Sequence, residues 1–490
     1  MTAGPYTGYD LSAITPLCMP WREVNHLLTP EFSRDAALLS FELASTAYDM
    51  QTAAWRQADW HDITYQIDNT LFTGPAVNGE TEKGLSEALA DAYQRTASAM
   101  LRRRNPITQL RGTLRQRDGS DTCKSLVMIH RLPGGRFVAA IGFMGTGKQI
   151  YDWISNFRMV QEDGVHKGFL QLTQEFEKNC PLIEFPQTAR ELGLEKLTLS
   201  DILAECRRPG SRFRLWMAGH SQGSAIMQLF ALREISKGLL RQNMIGYGFA
   251  SPSVLYRSPG CDPGSIPLFH ILNADDPIPR VGAVLHVGRC KILQPDSAMR
   301  SACYGNIGKT PAFRDAMHLL SACYRNEATV LYGIALLRAL MKLPDRESAL
   351  ALGSVLGKML PDRLLAALGG RADQLVQFLI RHAEATYAQL TGGALPEDLL
   401  VPYEKRVSLL MERYGAQPLI RALLQAMALP HKLRGPIENN GIAAYQYIVT
   451  RRFDSLRTYV SAGTVPRSTA RPLRGAKTQA AGRCLYHTIR

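Results

Sequence analysis

Apolar positions along this chain change period from one stretch to the next, and each period predicts a different element. The first thirty residues carry Pro5, Pro16, Pro20 and Pro30 and read as an irregular arm. From Ser33 the spacing of Leu38, Leu39, Phe41, Leu43 and Tyr48, with Asp35 and Glu42 in the early turns, predicts a capped amphipathic helix. A second, polar helix is predicted over 81–104. The period then shortens. Lys124 to Ile129 and Arg136 to Phe143 are β-type runs joined by the turn Leu132-Pro133-Gly134-Gly135. Phe213 to Ala218 is a further strand, Gln222 to Leu240 a helix, and Met244 to Phe249 and Leu268 to Leu272 are strands again. Strands alternating with helices predict an α/β fold, a mostly parallel sheet with an antiparallel start.

Beyond Tyr332 helical spacing takes over to about Arg452, with stripes at Leu336, Leu337, Leu340 and Met341 and at Val355, Leu356, Met359 and Leu360. The phrase Leu-Pro-Asp-Arg occurs twice, at 343 and 360, too few copies for a solenoid. The predicted organisation is an arm over 1–29, an α/β catalytic domain over 30–330, a helical C-terminal domain over 331–455 and a basic flexible tail over 456–490.

Composition narrows the class. With 490 residues, 46% hydrophobic and 20% charged, the chain has the make-up of a folded globular protein rather than a disordered or fibrous one. Its net charge of +14 is concentrated at the end. Arg451 to Arg490 holds nine basic residues and one acid, Asp454. Such a tail suits peripheral contact with an anionic membrane; no aromatic-and-basic platform accompanies it, so no nucleic-acid partner is expected. The nine cysteines are dispersed without a C-x-x-C pair or metal spacing, which predicts reduced thiols and a cytoplasmic location. No leader or transmembrane-length apolar run is visible, and leaderless secretion is the alternative.

The chemistry centres on Gly219-His220-Ser221-Gln222-Gly223. G-x-S-x-G alone is a weak signal, but here it follows a strand and opens a helix with Ala225, Ile226, Leu229 and Phe230 on its apolar side. That is the setting in which a tight turn lifts a serine nucleophile above a sheet. The N–H of Gln222 is one expected oxyanion donor. Thr146, in Met144-Gly145-Thr146-Gly147 at the end of an earlier strand, is the other. A triad carboxylate belongs after a later strand, where Asp275-Asp276-Pro277 stands; Asp276 is preferred and Asp275 is the reserve. For the base, His318 is preferred and His286 is the alternative. His382, His431 and His487 read as surface histidines, and His166, His220 and His270 as structural ones. Ile150, Trp153, Ile154 and Phe157 share one helical face and are candidates for a lid.

Together these segments resemble the fungal-type (class 3) lipases of the α/β-hydrolase superfamily. The resemblance rests on Gly145-Thr146, Asp152-Trp153, His166-Lys167-Gly168-Phe169, the Ser221 elbow, Phe249-Ala250-Ser251-Pro252 and Asp276-Pro277-Ile278-Pro279-Arg280, and it covers roughly residues 30 to 330. It implies Ser221 as nucleophile, Asp276 as acid and His318 as base, with Thr146 and Gln222 forming the oxyanion hole. Met144, Gln222 and Ser224 depart from the family's usual Arg, Leu and Gly. The expected activity is a serine hydrolase of lipid carboxylic esters that needs no cofactor and no metal. A phospholipase A1 or lysophospholipase at anionic membranes is the alternative within enzymes. A non-catalytic lipid-binding protein on a hydrolase scaffold is the alternative outside them.

Overall fold

The central strands are apolar on both sides because both faces of their sheet are covered, and the cover on each face comes from a different part of the chain. A computed structural model describes residues 31–49, 52–67, 70–73, 123–146, 161–162, 164–256, 262–280, 283, 285–321, 326–343, 372–434, 436–437, 441–451 and 457–459. The arm over 1–29, the polar helix over 81–104, the lid stretch with Ile150, Trp153, Ile154 and Phe157, the stripe from Val355 to Leu360 and the tail beyond 459 lie outside the described residues.

In chain order the strands of the main sheet are β1 (Trp60–Ile67), β2 (Thr70–Thr73), β3 (Ser125–Leu132), β4 (Arg136–Phe143), β5 (Phe213–His220), β6 (Met244–Phe249), β7 (Leu268–Asn273), β8 (Arg289–Leu293) and β9 (Arg457–Tyr459). Their spatial order is β9-β8-β7-β6-β5-β4-β3-β1-β2. Strands β4 to β8 run parallel. The β3–β4 hairpin and β1 and β2 are antiparallel, as is β9 at the opposite edge. The result is a mostly parallel sheet with an antiparallel start, as the alternation of periods predicts. Three residues of the stretch read as tail, Arg457–Tyr459, pair with β8.

The pleat sorts the side chains of β5. Trp216 and Ala218 enter one core, Leu215 and Met217 the other. Helix α1 (Arg34–Asp49) lies on the first face. Ser40 accepts the Trp216 indole N–H at 2.8 Å, and Phe41 meets Phe249 edge to face at 5.6 Å. Each such ring contact adds about 1 kcal/mol to its burial. Helices α2 (Lys167–Asn179) and α3 (Gln222–Ser236) cover the second face, where Phe143, Phe176 and Phe230 form one aromatic cluster.

Among the described residues, the α-helices after β8 are α4 (Ser297–Tyr304), α5 (Pro311–Ser321), α6 (Asn326–Met341), α7 (Ala372–Thr391), α8 (Glu397–Tyr414), α9 (Ala416–His431) and α10 (Ala444–Arg451). They join α1 in a single core that includes Phe41, Phe313, Leu331, Leu400, Leu419 and Ile448. Residues from both sides of the expected boundary at 330 therefore share one apolar interior. Arg338 gathers α6, α7 and α8 by bonding Glu384, Glu397 and Glu404.

A buried polar chain ties α3 to the sheet. The Ser224 and Ser251 hydroxyls bond each other, Ser251 Oγ lies 2.7 Å from His270 Nδ1, and His270 Nε2 lies 2.7 Å from the Val287 carbonyl. A carbonyl only accepts, so His270 donates from Nε2 and accepts at Nδ1 from Ser251. Beside it, His286 donates through Nε2 to the Ser251 carbonyl at 2.8 Å, while its Nδ1 is buried without a hydrogen-bond partner. Burial drives both imidazoles towards the neutral form. His270, also repelled by His286, falls to about 3 and His286 to about 4.

An unfolded histidine takes up its proton near pH 6.5, which these folded ones resist, so the unfolded state binds more protons as pH falls. Stability is therefore expected to be greatest above about pH 6.5 and to decline steadily towards pH 4, measured as Tm against pH. His286→Gln, which keeps a donor towards Ser251 and cannot titrate, should show a shallower decline. Identical slopes for the two proteins would refute this assignment.

Candidate functional site

The C-terminal ends of parallel strands are where α/β sheets assemble their chemistry, because neighbouring loops there diverge and leave a crevice. Strand β5 ends at His220, α3 begins at Gln222, and the single residue between them is Ser221. Its backbone has φ 55° and ψ −128°, a region that L side chains rarely adopt. Ser221 N–H donates to the Phe249 carbonyl at 2.9 Å, and the Ser221 carbonyl accepts from Ser224 and Ala225 N–H, so strand and helix hold the strained turn from both sides.

The flanking glycines are required by closeness rather than by φ. A Cβ on Gly219 would lie 2.7 Å from the backbone of Gly223 and Ser224, and one on Gly223 would collide with the Phe143 carbonyl. Gly145 is packed as tightly. A Cβ there would strike the Tyr48 hydroxyl, come within 2.5 Å of the His220 carbonyl and lie 3.2 Å from Ser221 Cβ. The loop carrying the half-buried Thr146 thus runs directly beside the serine, with buried Gln222 as the first residue of α3 on its other side.

Asp275 and Asp276, adjacent in sequence, have opposite fates. Asp275 accepts both Arg300 Nε and Nη2 at 2.8 Å, with the Tyr304 hydroxyl at 3.0 Å, and is taken up in an ion pair between the loop and α4. Asp276 is completely buried. Its Oδ1 accepts the Ile278 N–H at 3.0 Å, and its Oδ2 accepts the Tyr445 hydroxyl at 2.8 Å and His431 Nδ1 at 3.0 Å.

The imidazole that meets Asp276 is therefore His431, at the end of α9, in place of the expected His318 and its alternative His286. His318 stands on the exposed side of α5, near Asp315 and in line with Arg314 one turn earlier. The apolar stripe of Phe313, Ala316 and Leu319 faces the core, so helical geometry turns position 318 outward. His286 is held under α3 by its bond to Ser251. Nor does His431 behave as a surface residue, since its side chain is only 20% exposed and its ring centroid lies 4.7 Å from that of His220.

His220 links the elbow to this imidazole. Its Nε2 lies 2.9 Å from the His431 carbonyl and its Nδ1 lies 2.8 Å from the Tyr48 hydroxyl. Burial, followed by repulsion from His431, pushes its titration well below the ordinary histidine range. The neutral ring must donate from Nε2 to the carbonyl, so Nδ1 accepts from Tyr48. A second tether runs from Asn273 Nδ2 to the Pro430 carbonyl at 3.2 Å. An elbow serine, a backbone loop packed beside it and a bonded acid–imidazole pair are parts from which acyl transfer through a serine can be built.

Residues 140–285 match the sequence model of the family described as lipase (class 3). Among solved structures, the native propeptide complex of Rhizomucor miehei lipase aligns at 23% identity over 36% of this chain and 54% of that one, with a TM-score of 0.24. The lipase of Rhizopus microsporus var. chinensis aligns at 21% identity over 36% of this chain and 58% of that one, with a TM-score of 0.26. Lip2 lipase from Yarrowia lipolytica gives 15% identity, 35% and 61% coverage and a TM-score of 0.20. The matched segment spans between about half and three fifths of the length of these lipases. Comparison with curated proteins finds no match. Over residues 140–285, from within β4 to the approach to His286, this chain is similar to the class 3 lipases, the family its motifs resemble.

Proposed function

We propose that the protein is a serine hydrolase of carboxylic esters, with lipid esters as the substrate class, and that Ser221, His431 and Asp276 form its triad. The observation that carries this reading is the bonded Asp276–His431 pair set against the residue that precedes a strained elbow serine. The match to class 3 lipases supports the choice of lipid esters.

In this reading Ser221 Oγ attacks the ester carbonyl carbon as His431 Nε2 takes its proton. Asp276 holds Nδ1–H and so fixes the tautomer that leaves Nε2 able to accept. The tetrahedral oxyanion is received by the N–H groups of Gln222 and Thr146. Its collapse releases the alcohol, protonated by His431, and leaves an acyl group on Ser221. Water activated by the same imidazole then releases the acid and restores the serine. No step draws on a metal or a cofactor.

Hydrolysis of p-nitrophenyl esters from acetate to palmitate tests the scheme. Ser221→Ala and His431→Ala are each expected to lower kcat by about 10³-fold or more, whereas His318→Ala should stay within about twofold of the wild type. Loss of turnover in His318→Ala with retention in His431→Ala would reverse the base assignment. Turnover unchanged by Ser221→Ala would refute the hydrolase reading.

Gly145→Ala offers a probe of the oxyanion loop. Its methyl group must displace the loop from Tyr48 and Ser221, so kcat is expected to fall about 10²-fold while the circular dichroism spectrum stays that of the wild type. Activity at the wild-type level would remove Thr146 from the proposed hole.

A further inference from the structure

The oxygen of Asp276 that receives His431 also receives a second donor, and that donor comes from a helix with no other part in the reaction. Tyr445 is the second residue of α10, completely buried, 14 positions after His431 in the chain. Its hydroxyl is 2.8 Å from Asp276 Oδ2 and 3.1 Å from the Asn273 backbone N–H. An amide N–H can only donate, so the Tyr445 oxygen accepts from Asn273 and its single proton is directed at Asp276.

We propose, resting on the triad assignment above, that Tyr445 is a positioning residue for ester hydrolysis, orienting the Asp276 carboxylate and limiting the negative charge that it presents to His431. Two donors on one carboxylate oxygen share its charge, so each bond is weaker than it would be alone. The Tyr445 bond therefore moderates how strongly Asp276 stabilises the imidazolium that forms when Ser221 gives up its proton. It also blocks rotation of the carboxyl about its Cβ–Cγ bond, because Oδ1 is committed to Ile278 N–H while Oδ2 meets both side-chain donors. Burial, reinforced by the nearby Asp276 charge, raises the Tyr445 phenol well above its ordinary range. The hydroxyl thus keeps its proton throughout the working pH of a hydrolase.

The surroundings leave this bond as the main control on the pair. From β5 comes His220, which is neutral. From α4 come Arg300 and Tyr304, both engaged by Asp275. Alongside His431, Arg434 pairs with Glu42 of α1 at 3.6 Å.

Tyr445→Phe keeps the ring and deletes the hydroxyl. Against the ester series above, kcat is expected to fall roughly tenfold with KM within about twofold. The acid limb of the kcat/KM profile should move to higher pH by roughly half a unit, because Asp276 then gives its charge to His431 alone. Ile448→Val, a packing change on the same buried helix, serves as the control. It should lower Tm and leave the profile where it was. If Tyr445→Phe fails to fold, replacement of Tyr445 by 3-fluorotyrosine, a stronger donor, should move the acid limb to lower pH. A profile and kcat unchanged by Tyr445→Phe, or by the fluorinated residue, in an enzyme that Ser221→Ala silences would overturn the positioning role and leave the hydrolase reading standing. Absence of turnover in the folded wild type would overturn both.

Discussion

A carboxylate with no exposure to solvent has lost its hydration and must recover it from donors supplied by the fold. Asp276 is such a group, and its donors come from distant parts of the chain. Ile278 is two residues away, His431 lies 155 residues further on, and Tyr445 lies 169 residues further on. Satisfying this one charge requires α9 and α10 to reach the C-terminal ends of the parallel strands. Once they are there, the rest of the arrangement follows: His220 bonds the His431 carbonyl, Asn273 bonds the Pro430 carbonyl, and the helices close over the face of the sheet that α1 begins to cover. Removing either side-chain donor would leave the buried charge under-solvated, which is costlier than the net gain from any single hydrogen bond.

Features governed by local pattern were legible in the sequence, and those governed by distant pairing were not. The hairpin of β3 and β4, the strand before Ser221 and the helix after it all follow from period and turn chemistry within windows of a dozen residues. The glycines of the elbow and of the Gly145 loop could be read for the same reason, since a close approach between consecutive elements leaves no room for a side chain. The choice between Asp275 and Asp276 rests on a turn whose direction only the folded loop reveals. For the imidazole, order along the chain pointed to the first histidine past the sheet that a helix could carry over its edge. The spacing of Phe313, Ala316 and Leu319 held a contrary signal, because it sets position 318 on the polar side of α5. Nothing comparable marked His431, whose place beside Asp276 depends on how several intervening helices stack.

The helical region after residue 330 also acquires a structural meaning that its stripes alone did not carry. Apolar spacing shows that a helix must bury a face, but not what it buries it against. Here α6, α8 and α9 place Leu331, Leu400 and Leu419 in the same interior as α1 and the first face of the sheet, whereas Leu340 joins a smaller cluster with Ile420 and Met341 is exposed; Arg338 with its three glutamates binds the outer helices to one another. The helices therefore serve two ends at once, completing a core and delivering an imidazole.

Distance along the chain between the elbow and His431 has a consequence for biosynthesis. A ribosome that has released Ser221 has still to make 210 residues before the imidazole exists, and at common elongation rates of about 5–20 residues per second that interval is on the order of ten seconds or more. During that time the strand, the elbow and the loop carrying Thr146 can form, but the imidazole that the proposed triad assigns to the serine is absent. On that proposal the nascent polypeptide is silent until α9 has been made. In the proposed triad, only the translation of α9 would supply the missing imidazole.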